Sequence, residues 1–216
     1  MRSVPETSQT LDRGLQVLLA IGSPGQVRGL TVTELAVELG VARAVIYRLV
    51  ATLESHDFVT RSSDGRVRLG VGVARLQLAV RPMLIEAARP VLRALADQVG
   101  ATAHLTVAEG EHALALVVVE PSWTDFHISY RVGSRHPLTL GAAGRAILGA
   151  RRGTEGPVVT TSELQQGAHG LAAPVTGVPG LEASVGVVST TVFDADTVGL
   201  AVLEAARAVS QAVTNA

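Results

Sequence analysis

Arg43, Tyr47 and Arg48 lie within two helical turns of one another, and Arg61, Arg66 and Arg68 follow on the next segment. Arginine can bond guanine bidentately in a major groove, and a tyrosine hydroxyl can bond phosphate or pack on sugar. Ala44 stands between them on the same face. Thr31 and Thr33 add hydroxyls beside a helix start, where free backbone N–H groups favour an anion. A second candidate is Gly141-Ala142-Ala143-Gly144, whose unpaired N–H groups at a helix start suit a carboxylate. Metal chemistry finds no support: the six histidines show no i, i+4 pair and there is no cysteine. Enzyme motifs are missing too. There is no G-x-S-x-G elbow and no phosphate-binding loop, Gly70-Val71-Gly72 lacks the third glycine of a dinucleotide fingerprint, and no acid is positioned beside Ser184 and His169.

The elements that must carry the arginines lie in residues 31–70, TVTELAVELGVARAVIYRLVATLESHDFVTRSSDGRVRLG. Residues 33–39 predict a short helix with Leu35, Ala36 and Leu39 on one face, stopped at Gly40. The next helix buries Ile46, Leu49, Val50 and Leu53 and turns Arg43, Ala44, Tyr47 and Arg48 outward or to its flank. Residues 58–61 and 66–69 form a hairpin around Asp64-Gly65, with Val67 and Leu69 on one face and Arg66 and Arg68 on the other. Ahead of these, Ser8 or Thr10 caps a first helix through Leu11, Leu15, Leu18 and Leu19, ended by Gly22-Ser23-Pro24-Gly25. Helix, turn, helix and basic hairpin together predict a winged helix-turn-helix.

In a chain of 216 residues, 47% apolar and 17% charged residues are enough for one large or two ordinary packed domains. The net charge of −1 gives nucleic acid no global support. Residues 1–70 hold eight arginines against seven acids and residues 71–216 ten against twelve, so the case rests on local clustering. With no signal-peptide pattern and no apolar run near the roughly 20 residues of a membrane span, a cytoplasmic protein is expected.

Residues 71–80 predict a linker helix. A new helix then starts at Pro82 and carries Leu84, Ala88, Val91, Leu92, Leu95 and Val99, with a kink or break at Pro90. Strands follow over 102–108, 113–120 and 126–132, a helix over 141–150, irregular chain over 151–168, strands over 171–176 and 183–190, and a last helix over 196–213. This is an α+β domain with one sheet flanked by helices.

The chain resembles the IclR family of bacterial transcriptional regulators. The resemblance rests on LDRGLQVLLAI, on residues 31–70, on RVGSRHPLTLGAAGRAILGA and on GLAAPVTGVPGLEASVGVVS. It implies a winged helix-turn-helix DNA-binding domain (1–70), a linker helix (71–81) and a GAF-like α/β effector-binding and oligomerisation domain (82–216), assembled as dimers or tetramers on double-stranded operator DNA. No cofactor and no membrane are implied. DNA contacts would come from Thr31, Thr33, Arg43, Ala44, Tyr47, Arg48, Arg61, Arg66 and Arg68. Effector contacts would come from Ile128, His136, Ala142, Ala143, Ala168, Gly170, Gly186 and Val188. There are two departures. Ala44-Val45 replace the hydroxyls that usually open the recognition helix, and residues 151–168 replace a longer insert that helps cover the pocket. Gly186 and Val188 stand where some relatives have hydroxyls, so the expected effector is aromatic or largely apolar, such as a carboxylate with an apolar body. The alternative is a C-terminal domain that only oligomerises.

Overall fold

The structure is a computed structural model and describes residues 6–23 and 25–215. Pro24, read above as part of the first helix stop, lies outside the described residues, as do the chain's outermost positions. The chain divides into two compact units, 1–80 and 81–216.

The first unit contains α1 (Gln9–Ile21), β1 (Leu30–Thr31), α2 (Val32–Glu38), α3 (Arg43–Ser55), β2 (Val59–Arg61) and β3 (Arg66–Leu69). Val17, Ile21, Leu35, Ile46, Leu49, Val50, Val59 and Val67 form its core, so the predicted α2 and α3 faces are the buried ones. Burial of α1 differs from the expectation. Leu11, Leu15 and Leu19 are 62%, 51% and 73% exposed, while Gly14, Val17, Ala20 and Ile21 turn inward. Both stripes are apolar, so the period alone does not select between them. The hairpin forms around Ser62–Gly65, with Gly65 at φ +78°. Asp64 Oδ1 accepts from Ser62 Oγ (2.6 Å) and from the Arg66 N–H (3.2 Å). A strand that periodicity missed, β1, pairs with β3 to give the order β1-β3-β2.

The helix α4 (Gly72–Val99) runs continuously with Pro82 and Pro90 inside it. It does not restart at Pro82, contrary to the expectation, and it runs through Pro90 as one helix rather than two. Each proline removes one N–H from the helical ladder. Packing of Leu84, Ala88, Leu92 and Leu95 into the core of the second unit holds the C-terminal part of the helix.

That second unit adds β4 (Thr102–Glu109), β5 (His112–Val119), β6 (Arg135–Pro137), α5 (Gly141–Arg151), β7 (Val158–Thr161), β8 (His169–Val175), β9 (Ala183–Ser189) and α6 (Ala195–Thr214). The antiparallel sheet has the order β6-β5-β4-β9-β8-β7. One sheet face packs on α4 and α6 through Leu105, Leu171, Val185 and Val202. The other packs on α5 through Ala142, Ala146 and Ala172. Residues 126–132 are not the expected strand. The ladder position beside Ala115 is taken by Gly133, whose N–H donates to Ala115 O (2.8 Å), and by Ser134, whose carbonyl accepts from Ala115 (3.0 Å). Within the 151–168 segment, read as irregular, β7 forms the sheet edge against β8.

Candidate DNA-reading face and effector pocket

Arg43, Ala44, Tyr47 and Arg48 are exposed on one side of α3. The N-cap of α3 is Ala42, which makes no side-chain cap bond, so the first turn keeps donors for an external acceptor. Among the described residues no carboxylate pairs with Arg43 or Arg48. Arg61 stacks its guanidinium 5.5 Å from the Tyr47 ring centroid and reaches Glu54 at 3.4 Å, which fixes the tyrosine from behind.

The remaining predicted DNA contacts are more engaged. Arg66 donates to Gly29 O (3.0 Å) and to Glu34 (3.2 Å), tying β3 to the start of α2. Arg68 donates to Arg28 O at 3.1 Å and stays exposed. Thr31 closes a capping box: its hydroxyl accepts from the Glu34 N–H (3.2 Å), while its own N–H and hydroxyl donate to Glu34 Oε2 (2.7 and 2.9 Å). The backbone N–H bond from Thr31, followed by its hydroxyl, holds the Glu34 carboxyl below its usual range. The anion at this helix start is therefore the chain's own, and Thr33 is the hydroxyl left exposed there.

In the second unit, a cavity of about 430 Å³ lies on the α5 side of the sheet. Seven of the eight predicted effector residues line it: Ile128, His136, Ala142, Ala143, Ala168, Gly170 and Val188. Gly186 does not. It pairs with His104 across β4 and β9, and a Cβ there would meet His104 Cε1 at 2.7 Å. Its missing side chain makes room for an imidazole that lines the cavity in its place.

Periodicity also missed Tyr130, Thr160, Glu163 and Gln165 in the lining. One wall is thus small and apolar, and the 128–136 and 160–165 segments make the other more polar than expected. His104 Nδ1 lies 3.1 Å from Thr106 Oγ1, and Tyr130 meets its ring edge-on at 5.2 Å. Burial, with nearby His136 second, pushes the His104 pKa down to about 4. Burial also raises the Tyr130 phenol. His136 holds Nδ1 3.1 Å from Pro137 O, so that nitrogen carries the hydrogen, while its buried Nε2 has no partner among the described residues.

The start of α5 is not free as expected. The Gly141 N–H donates to Glu163 Oε2 (2.9 Å), and Arg145, one turn on, pairs with Glu163 Oε1 (3.0 Å). Leu140, the N-cap, makes no side-chain cap bond.

Catalytic use of Ser184 and His169 finds no geometry. Ser184 Oγ donates to Ala143 O (3.1 Å) and its residue pairs with Pro174, whereas His169 pairs with Ser189 and sits 3.2 Å from Thr161 Oγ1. At about 3.3 Å per residue the two lie on the order of 16 Å apart along the sheet. No group of three His, Cys, Asp or Glu that could hold a metal occurs among the described residues.

The sequence matches the family description "IclR helix-turn-helix domain" over residues 10–63 and "Bacterial transcriptional regulator IclR C-terminal" over residues 77–156. The HTH-type transcriptional regulator BhcR of Paracoccus denitrificans is 32% identical over 149 residues, 67% of this chain and 51% of that protein. The chain thus spans about half the length of such relatives. An IclR-family transcriptional regulator from Rhodococcus sp. superposes with a TM-score of 0.61 at 19% identity, covering 99% of this chain and 97% of that one. An IclR homolog from Microbacterium hydrocarbonoxydans, complexed with 4-hydroxybenzoate, does so at 0.55 and 17% identity, covering 96% and 100%. At these identities the structural likeness is one of fold.

Proposed function

The chain belongs to the IclR family of bacterial transcriptional regulators, and from that premise we propose that it binds operator DNA sequence-specifically under the control of a small molecule held in the 430 Å³ cavity. The observation that carries the DNA reading is the exposed Arg43, Ala44, Tyr47 and Arg48 face on an uncapped α3. Arg43 and Arg48 read base edges, Tyr47 braced by Arg61 meets the backbone, and Arg68 with Thr33 adds phosphate contacts. Arg66 and Thr31 act one step back, by holding β3 and α2 together.

The effector reading is supported by the cavity itself and by an unsatisfied polar atom in its wall, the His136 Nε2. These favour a ligand over a second unit that serves oligomerisation alone. The small wall of Ala142, Ala143, Ala168, Gly170 and Val188 suits an aromatic or otherwise apolar body. Ligand binding shifts DNA affinity only by its differential affinity for the two states of the regulator. The protein acts in the cytoplasm, as a dimer or tetramer.

The test is a fluorescence-anisotropy titration against DNA upstream of the protein's own reading frame, with wild type and Arg48→Ala. The substitution is expected to weaken binding by roughly 1–3 kcal/mol. Unchanged affinity would remove Arg48 from the reading face.

A further inference from the structure

We propose that Glu163 sets the ligand class of the cavity: it occupies the first N–H of α5 with the protein's own carboxylate, disfavours carboxylate ligands there, and leaves the site to neutral hydroxylated molecules. This rests on the effector reading above and makes it specific.

Three observations carry it. First, the anion position is taken and clamped. Glu163 accepts the Gly141 N–H at 2.9 Å through one oxygen and holds Arg145 at 3.0 Å through the other. The first N–H of the helix start already has an intramolecular carboxylate partner, which a free ligand would have to displace.

Second, the segment bearing Glu163 is ordered against the helix. Ser162 N–H donates to Ala168 O (2.8 Å), and Gly167 N–H donates to Ser162 Oγ (3.0 Å). Leu164 lies against Gly141, where a Cβ would come within 2.6 Å of Leu164 Cδ1. Swinging Glu163 aside would therefore disturb Leu164, itself a lining residue.

Third, the wall holds an unsatisfied polar atom. With Nδ1–H turned to Pro137 O, the His136 ring presents Nε2, buried and unpartnered among the described residues. His136 is 9% exposed and lines the same cavity as Glu163. Of the two arginines that also line the cavity, Arg135 is already paired with Glu109 (2.9 Å). A second carboxylate would have to compete with Glu163 for the Gly141 N–H, whereas a hydroxyl, able to donate or accept, can pair with Nε2 without displacing Glu163.

Calorimetric titration of the full chain with resorcinol and with benzoate tests this. The two probes share a ring and differ in offering donors or a charge. Wild type is expected to bind resorcinol at least about tenfold more tightly than benzoate. Glu163→Ala opens the helix start, and benzoate should then gain about tenfold or more. Glu163→Gln keeps the shape and the acceptor for Gly141 but removes the charge, so a smaller benzoate gain is expected; it decides the matter if the alanine variant does not fold. Wild type binding benzoate as well as resorcinol would overturn the proposal. So would an unchanged preference in both variants, or no binding of either probe to any of the three proteins. Because no DNA is present, a failure of ligand-controlled DNA binding would leave these preferences standing and is read separately.

Discussion

His104 is a base kept uncharged. It is 5% exposed, faces Tyr130 and lies near His136, and burial first, then His136, lowers its pKa from 6.5 to about 4. As pH falls below about 6.5, the unfolded chain takes up a proton there that the folded chain refuses until about pH 4. Stability therefore falls with pH across that window, by roughly 3 kcal/mol when complete. Carboxyls held low in the folded state, such as Glu182 by its bonds from Arg151, lose their contribution only at lower pH. Urea midpoints should thus drop between pH 6.5 and 5 in wild type and stay nearly level in His104→Gln. Thr31 makes a second residue-scale case. Its type suggested phosphate, and its geometry is a capping box closed by Glu34. Thr31→Ala should lower stability by about 1 kcal/mol and leave operator affinity closer to wild type than Arg48→Ala does. An affinity loss matching that of Arg48→Ala would restore Thr31 as a DNA contact. Residue type and spacing found both helix starts but not their occupants: Glu34, three positions after Thr31, was legible as a capping-box spacing, whereas Glu163 lies 22 positions from the N–H it accepts.

At the scale of elements, what the sequence made legible follows contact range. The α3 face was readable because Ile46, Leu49 and Val50 repeat at helical spacing, and the hairpin because Asp64-Gly65 dictates its own turn. The strands β1, β6 and β7 were not readable. Each has two to four residues and exists only through its partner strand, a distant one for Leu30–Thr31, which pairs with β3. The same limit hid His104, which enters the cavity only because Gly186 faces it across the β4–β9 ladder. Seven lining residues were foreseen from resemblance, while Tyr130, Thr160, Glu163 and Gln165 lie on irregular or edge segments that no period marks. The start of α5 gives this scale its prediction. Gly141 has φ +72° and sits against Leu164. Gly141→Ala would strain the backbone and push Leu164 and Glu163 away, at a cost on the order of 1–3 kcal/mol. Chemical unfolding of that variant should show the loss, and a stability equal to wild type would mean that the segment yields freely.

For the whole molecule the open question is what covers α1. Leu11, Leu15 and Leu19 form an i, i+4, i+8 stripe that remains exposed, while α4 exposes Leu76 (56%) and Leu78 (64%) within the same unit. Water-exposed apolar stripes of this length are characteristic of surfaces that meet another chain. A regulator that reads DNA with a single short helix also gains affinity and length of recognised sequence by pairing two copies. The stripe is therefore expected to be where two copies of this chain meet. Leu15→Glu with Leu19→Glu removes it without touching the core, since neither side chain is buried in the chain itself. Sedimentation should then show the variant as a smaller species than wild type, with an unchanged circular-dichroism spectrum. Its operator affinity should fall by more than tenfold, beyond what the added negative charge accounts for through phosphate repulsion. A Leu15→Gln, Leu19→Gln pair separates the two effects: it carries no charge, so an affinity loss that persists in it belongs to assembly, and one that vanishes belongs to electrostatics.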